Sequence, residues 1–169
     1  MSDGAAVLVT AYLSLGSNIE PEKNLRLACA GLRATYGELT LSPVYQTPAV
    51  GFDGDDFLNM VVGFQTTQTV AAIKEVLEDL HRKAQRVRLP DRFSSRTLDA
   101  DVLLYCKLVD PLQQLPHPDM EKYPFVMGPL AEIAADLRHP VSGERLQKLW
   151  QNFVRQDAEM IRISIDLDS

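Results

Sequence analysis

Several features that commonly identify a protein's class are scarce or missing in these 169 residues. The two cysteines, Cys29 and Cys106, are too few and too far apart for a disulfide framework or a Cys-x-x-Cys metal site. No apolar run approaches the roughly 20 residues that span a bilayer, and the N-terminus has no basic segment, so we expect neither a membrane helix nor a secretory signal. The glycine-rich phosphate motifs G-x-x-x-x-G-K-[ST] and G-x-G-x-x-G are also missing. These absences predict a cytoplasmic protein whose side chains would have to bind any phosphate.

The overall charge also excludes a class of partner. The formal net charge is -6 and the isoelectric point is near 5.0, whereas general nucleic-acid binders usually carry a basic domain. The length suits one domain with a real core and is short for two, so we expect a single domain over residues 1–169.

The order of the predicted elements indicates the fold class. Alternating apolar residues predict strands, and apolar residues at helical spacing predict helices. The pattern predicts a strand from Val7 to Leu15, a helix from Pro21 to Gly37, strands at Leu39 to Gln46 and Phe57 to Gln65, a helix capped by Thr69, a strand from Thr97 to Cys106, and two later short helices. This order is typical of an α+β sandwich with helices on one face of a mostly antiparallel sheet. The other face would then be free for a ligand.

A basic segment directly before two carboxylates is the strongest chemical signal. Four arginines occur within eleven residues of this acidic chain, and two aspartates follow; they are Arg86, Arg88, Arg92, Arg96, Asp99 and Asp101. In a strand, Leu98, Ala100, Val102, Leu104 and Cys106 would share the core face, so both aspartates would point to the opposite face. Such a pair repels itself unless a cation lies between its members. Carboxylates that bind Mg²⁺ beside arginines that bind phosphate suit phosphoryl-group transfer, although two solvated strand residues beside a solvated loop are the alternative.

Five segments in order carry a resemblance to a known family. They are Tyr12 to Asn18 (YLSLGSN), Ser42 to Gly51 (SPVYQTPAVG), Phe57 to Val62 (FLNMVV), Ser94 to Leu104 (SSRTLDADVLL) and Leu115 to Met120 (LPHPDM). Together they resemble the 6-hydroxymethyl-7,8-dihydropterin pyrophosphokinase family of folate biosynthesis over roughly residues 9 to 153. The fourth segment is the most specific, because it contains the pattern R-x-x-D-x-D from Arg96 to Asp101.

The resemblance implies an activity, a fold and a set of partners. It implies transfer of the diphosphate of ATP to the hydroxymethyl group of the pterin, with release of AMP, by a ferredoxin-like α+β sandwich with mobile loops over its active site. It implies two Mg²⁺ ions bound by Asp99 and Asp101, with Arg86 and Arg96 also taking part in catalysis. The implied ATP-binding residues are Arg86, Arg88, Arg92, Arg96 and His117. We expect a monomer that binds these small molecules and no nucleic acid.

The pterin-binding residues are predicted from the resemblance together with the alternation of side chains along the strand that begins at Phe57. Leu58, Met60, Val62 and Phe64 would face the core, so Phe57 and Asn59 would share the opposite face. A pterin is a flat heterocycle with an amide-like edge, which suits an aromatic ring and a side chain that both donates and accepts hydrogen bonds. The implied pterin-binding residues are Thr47, Pro48, Val50, Phe57, Asn59 and Phe125.

Several positions depart from the family pattern. His81 stands where a glutamate is usual, Gln85 where a glycine is usual, Phe93 where tryptophan is frequent, and Tyr123 where an arginine is usual. Residues 155–169 extend past the resemblance and end acidic. A divergent member that binds a pterin with little turnover therefore stays open. A ferredoxin-like RNA-binding module is the other alternative, but it would lack aromatic RNA-binding strand motifs.

Overall fold

The computed structural model describes residues 7–51, 53–84, 98–153 and 159–167. The strands are β1 (Val9–Ser17), β2 (Thr40–Leu41), β3 (Val44–Thr47), β4 (Phe57–Thr66), β5 (Asp99–Tyr105) and β6 (Ile161–Ile163). The helices are α1 (Pro21–Tyr36), α2 (Val70–Lys83), α3 (Asp119–Lys122), α4 (Pro124–Ile133) and α5 (Leu146–Gln151), and a 3₁₀ turn covers Pro111–Gln113. None of the helices in these ranges has the length and apolar character needed to cross a bilayer.

One antiparallel sheet organises the described part of the chain. Its strands lie in the order β5-β1-β4-β3-β6, and β2 pairs with the same strand, β4, as β3 does. The predicted α+β class with a mostly antiparallel sheet is therefore confirmed. The first strand lies between β4 and β5, so residues of all three strands meet on a common surface.

The two long helices follow from local sequence signals. Helix α1 begins at Pro21, whose fixed φ suits the first helical position, and ends before Gly37, which has φ 80°. Helix α2 begins after Thr69, whose hydroxyl accepts a hydrogen bond from the backbone N–H of Ala72 at 3.1 Å. Both helices pack on one face of the sheet, against the predicted core residues of β4 and the apolar residues Ala11, Leu13 and Leu15 of β1.

The opposite face of the sheet is not free over its whole area. A second apolar cluster covers part of it and joins Val61 of β4 to Met127 and Leu130 of α4 and Leu146 of α5. The expectation of helices on one face alone is therefore wrong. The short helices α3 to α5 carry enough apolar surface to pack on the second face, and the part of the sheet beside them stays open.

The predicted alternation holds only for the first half of β5. Leu98, Ala100 and Val102 contribute to the first core, as expected. Leu13 pairs with Val102, whereas its neighbour Tyr12 pairs with Leu104, so Leu103 is one extra residue. Such a bulge reverses the alternation that follows it. Leu104 therefore lies in the second cluster, and Cys106, which was also predicted to face the core, is exposed with φ 51°.

The single strand predicted from Leu39 to Gln46 is two short strands. Ser42 and Pro43 interrupt it: proline has no N–H to donate, and the Ser42 hydroxyl accepts a hydrogen bond from the backbone N–H of Val61 at 2.8 Å. Strand β6 was not predicted at all. It comes from residues 155–169, which were expected only to extend past the resemblance, and pairs with β3 at the edge of the sheet.

A side-chain network fastens β6 to the rest of the fold. The guanidinium of Arg162 donates hydrogen bonds to the hydroxyl of Tyr45 at 2.9 Å and to the carboxylate of Glu132 at 2.6 Å. The Tyr45 hydroxyl in turn donates to Glu132. Strands β3 and β6 are thereby connected to the last turn of α4, and burial is the main reason that the pKa of Tyr45 is raised.

Candidate active site

A cleft of about 440 Å³ lies where the second face of the sheet is left open by α3 and α4. Its floor is formed by the ends of β1, β4 and β5, and its walls by the loop after β3 and the residues from Gln114 to Val126. The predicted site residues that line it are Thr47, Pro48, Val50, Phe57, Asn59, Asp99, Asp101, His117 and Phe125. Every predicted pterin-binding residue and both predicted metal ligands are therefore brought together.

The floor of the cleft is ordered by strand register. Gly16 of β1 pairs with Asp99 of β5 on one side and with Asn59 of β4 on the other. Neighbouring strands are about 4.8 Å apart, so Asn59 and Asp99 are separated by roughly 10 Å across the glycine. Ser14 and Asp101 form the next pair on the same face. A polar amide and two carboxylates thus occupy opposite ends of one surface.

The Asn59 side chain is held in a single orientation. It is 9% exposed, and its Nδ2 donates a hydrogen bond to the Thr47 hydroxyl at 2.7 Å. Its Oδ1 lies against the backbone of Gly16, where a Cβ would be only 2.7 Å away. Glycine is therefore required at this position for the amide to lie flat on the strand. Asn59 is pre-positioned for a ligand without having to order its own side chain.

Aromatic rings form the wall of the same end. Phe57 and Phe125 both line the cleft, and Tyr123 stacks on Phe125 with ring centroids 5.0 Å apart and an interplanar angle of 20°. Flat rings of this kind are suited to bind a flat heterocycle by stacking. Tyr123 thus extends the aromatic wall at the position where relatives are expected to have arginine.

The carboxylate end fits a magnesium–nucleotide complex. Asp99 and Asp101 are alternate residues of β5 on the cleft face. Across the described ranges, no group of three or more His, Cys, Asp or Glu side chains is arranged to hold a metal by itself. Mg²⁺ commonly takes one or two carboxylates and completes its shell with substrate phosphates and water. The donor set therefore fits Mg²⁺ brought with a nucleotide better than a permanently bound structural metal.

His117 is positioned as a neutral hydrogen-bond donor. Its backbone N–H donates to the carbonyl of Leu103 at 2.9 Å, and its ring Nδ1 accepts from the backbone N–H of Asp119 at 3.1 Å. Burial lowers the pKa of His117, and this outweighs the opposing effect of the Asp119 and Asp99 carboxylates. Because Nδ1 is an acceptor, the proton of the neutral ring is on Nε2, which can donate to a ligand oxygen.

The lowered pKa of His117 predicts a pH dependence of stability. The unfolded chain binds a proton at this residue near its ordinary pKa of about 6.5, while the folded chain does so only at lower pH. Protonation therefore favours unfolding once the pH falls below that value. We expect His117→Asn, whose amide oxygen can still accept from Asp119, to lose less unfolding free energy on acidification than the wild type. Chemical denaturation at a series of pH values measures this, and equal losses in both proteins would contradict it.

Some predicted residues lie outside the described ranges. Arg86, Arg88, Arg92 and Arg96 belong to residues 85–97, as do the departures Gln85 and Phe93. His81 is described: it is buried in the last turn of α2, and its Nδ1 lies 2.8 Å from the carboxylate of Glu78. The ATP-binding roles of the four arginines and the catalytic roles of Arg86 and Arg96 stay predictions.

Comparison with known proteins identifies the family. Residues 12–135 match the family model described as 7,8-dihydro-6-hydroxymethylpterin-pyrophosphokinase (HPPK). The chain belongs to the HPPK family. It is 33% identical to 2-amino-4-hydroxy-6-hydroxymethyldihydropteridine pyrophosphokinase of Haemophilus influenzae, over 93% of this chain and 99% of that protein. It is 38% identical to the enzyme of the same name from Bacillus subtilis, over 73% of this chain and 77% of that protein.

Solved structures agree on the fold. A Plasmodium falciparum HPPK-DHPS crystallised with pteroate superposes with a TM-score of 0.73 over 96% of this chain. Sequence identity in that superposition is 11%, and this chain spans 48% of that protein. The likeness therefore supports the HPPK fold and no more.

Several residues of this HPPK cleft were not predicted as site residues from the sequence. Gly16 and Ser14 belong to the segment YLSLGSN that carried the resemblance, and a glycine inside a strand is a sign of close approach by another group. Asp119 lies within the segment LPHPDM, and Lys122 follows that segment without a comparable signal. Their place in the cleft depends on how α3 packs beside the sheet.

Proposed function

We propose that this HPPK-family chain transfers the diphosphate group of ATP to the hydroxymethyl group of 6-hydroxymethyl-7,8-dihydropterin, giving AMP and the pterin diphosphate, in folate biosynthesis. The observation that carries the proposal is a single cleft with an amide and aromatic rings at one end and paired carboxylates at the other. The names of the relatives describe the same reaction. The two ends suit the two substrates, and they lie on one sheet face.

The pterin is proposed to bind between the rings of Phe57 and Phe125. Asn59 then faces the amide-like edge of the heterocycle, and the residues Thr47, Pro48 and Val50 line the pocket beside it. Because Asn59 is already fixed by Thr47 and Gly16, its hydrogen bonds are presented at low entropic cost. The hydroxymethyl arm would extend across Gly16 towards the carboxylates.

The nucleotide is proposed to bind at the other end. Asp99 and Asp101 would hold Mg²⁺, two ions in the full complex, which neutralises charge on the phosphates and aligns the pterin hydroxyl with the β-phosphorus. His117, neutral with its proton on Nε2, would donate a hydrogen bond to the nucleotide. Arg86, Arg88, Arg92 and Arg96 would bind the phosphates, and Arg86 and Arg96 would also stabilise the transferring group.

The test is to identify the products. We expect purified protein with Mg²⁺, ATP and 6-hydroxymethyl-7,8-dihydropterin to form AMP and the pterin diphosphate in equal amounts, measured by chromatography and mass spectrometry. Omission of the pterin is the control, and it should abolish AMP formation. Formation of ADP would mean ordinary kinase chemistry and would overturn the proposal. Binding of the pterin without any AMP would instead identify a pterin-binding protein with no turnover.

The proposal also covers the domain organisation, oligomeric state, location and partners of the enzyme. We propose one domain over residues 1–169, supported by the pairing of β6 with β3, and a monomer in the cytoplasm, where ATP is available. Its partners would be the two small substrates, without nucleic acid or membrane.

A further inference from the structure

Acidic side chains outnumber lysine and arginine side chains among the described residues that line the cleft. Asp99, Asp101 and Asp119 line it, and all three are acidic. Lys122 contributes the one lysine or arginine side chain among the described residues that line the cleft. It lies at the end of α3, immediately before the position where relatives are expected to have arginine and this chain has Tyr123. A cation is therefore present in the wall, one residue earlier than expected.

The Tyr123 ring holds this ammonium group in place. The Nζ of Lys122 lies 5.5 Å from the ring centroid, which is within cation–π distance. The ring itself is fixed because it stacks on Phe125. Within the described ranges, no carboxylate lies within ion-pair distance of this lysine. Its charge is thus oriented by an aromatic ring and left available to a ligand.

We propose that Lys122, supported on Tyr123, binds a phosphate of ATP in place of the arginine that the family pattern leads one to expect at position 123. This inference rests on the proposed function, because it assumes that ATP binds at the carboxylate end of the cleft. An ammonium group binds phosphate as a point charge and needs less exact geometry than a guanidinium does. The two residues therefore have separate roles. The Tyr123 ring extends the aromatic wall beside Phe125, and Lys122 supplies the positive charge.

The test compares nucleotide and pterin affinities in matched variants. We expect Lys122→Gln to weaken binding of Mg²⁺ with α,β-methylene-ATP about tenfold, the order of one charge-assisted hydrogen bond. Its pterin affinity should stay within about twofold, and Lys122→Arg should keep most of the nucleotide affinity. Lys107→Gln removes the same charge from an exposed lysine after the far end of β5, and it should have no effect. Titration calorimetry at low and high salt measures the affinities of the wild type and the three variants. The loss of nucleotide affinity in Lys122→Gln should shrink as salt screens the charge.

The variant Tyr123→Phe and the comparison with the wild type decide whether the inference holds. Tyr123→Phe keeps the ring and loses the phenol, so we expect nucleotide affinity close to the wild type. A tenfold loss in Tyr123→Phe with none in Lys122→Gln would show that the phenol contacts the phosphate, and the inference would fail. Equal nucleotide affinity in Lys122→Gln, Lys107→Gln and the wild type would also overturn it. If the wild type instead binds ATP but forms no AMP, the proposed function fails while the Lys122 comparison still stands.

Discussion

Replacing either Asp99 or Asp101 by alanine is expected to lower turnover by at least about 100-fold, the order found when one preorganised electrostatic group is removed from an active site. Both carboxylates lie on the cleft face of β5, and the neighbouring residues Leu98, Ala100 and Val102 form the core side. The substitutions therefore leave the core unchanged. Steady-state AMP formation at saturating ATP and pterin measures the loss, with thermal unfolding as the check on the fold.

The matched control for this pair is Asp79→Ala. Asp79 lies on α2 with its side chain half exposed, pairs with Arg82 and Lys83, and does not line the cleft. Its loss changes the net charge by the same amount, and turnover should stay near the wild-type value. If Asp99→Ala or Asp101→Ala turned over as fast as Asp79→Ala, the carboxylate removed in that variant could not be holding the metal.

The second large effect is expected at a residue with no side chain. Gly16→Ala would place a Cβ 2.7 Å from the Oδ1 of Asn59, closer than such contacts occur in folded proteins. The amide would have to rotate and lose its hydrogen bond to the Thr47 hydroxyl. We expect pterin affinity to fall by tenfold or more, since a displaced amide no longer matches the edge of the heterocycle, and ATP affinity to change little.

A double-mutant cycle separates this displacement from a general disturbance of β1. In an Asn59→Ala background the added methyl group has no amide to displace, so Gly16→Ala should cost much less pterin affinity there than in the wild type. Calorimetric titration of the pterin into the four proteins gives the coupling. Strictly additive effects would mean that Gly16 acts independently of Asn59.

Local sequence signals predicted the helices and strands best where an element's bounds or buried face do not depend on how it pairs with other elements. Pro21 and Gly37 mark the bounds of α1, Thr69 marks the start of α2, and the alternation of β4 assigned its core face correctly. The bulge at Leu103 was missed because it depends on how β5 pairs with β1, which no alternation within β5 reveals. The face covered by α4 was missed for the same kind of reason. Apolar residues show that a short helix packs, but not on which side of a sheet.

The candidate site was predicted mainly through the resemblance. Strand parity alone placed Asp99 and Asp101 together, and Phe57 and Asn59 together, and the cleft contains both pairs. It could not show that the pairs face each other across Gly16, because that depends on the order of three strands. Lys122 was missed because a lysine in a short polar segment is usually solvated surface.

The side-chain network of Tyr45, Glu132 and Arg162 connects the far edge of the sheet to the aromatic wall of the cleft through helix α4. Glu132 lies seven residues after Phe125, on the same side of helix α4, so a helix held at Glu132 also fixes the ring at its other end. Arg162 is outside residues 12–135, the part of the chain that matches the family model. In this chain, the edge strand β6 therefore helps to set the tilt of the helix that carries Phe125.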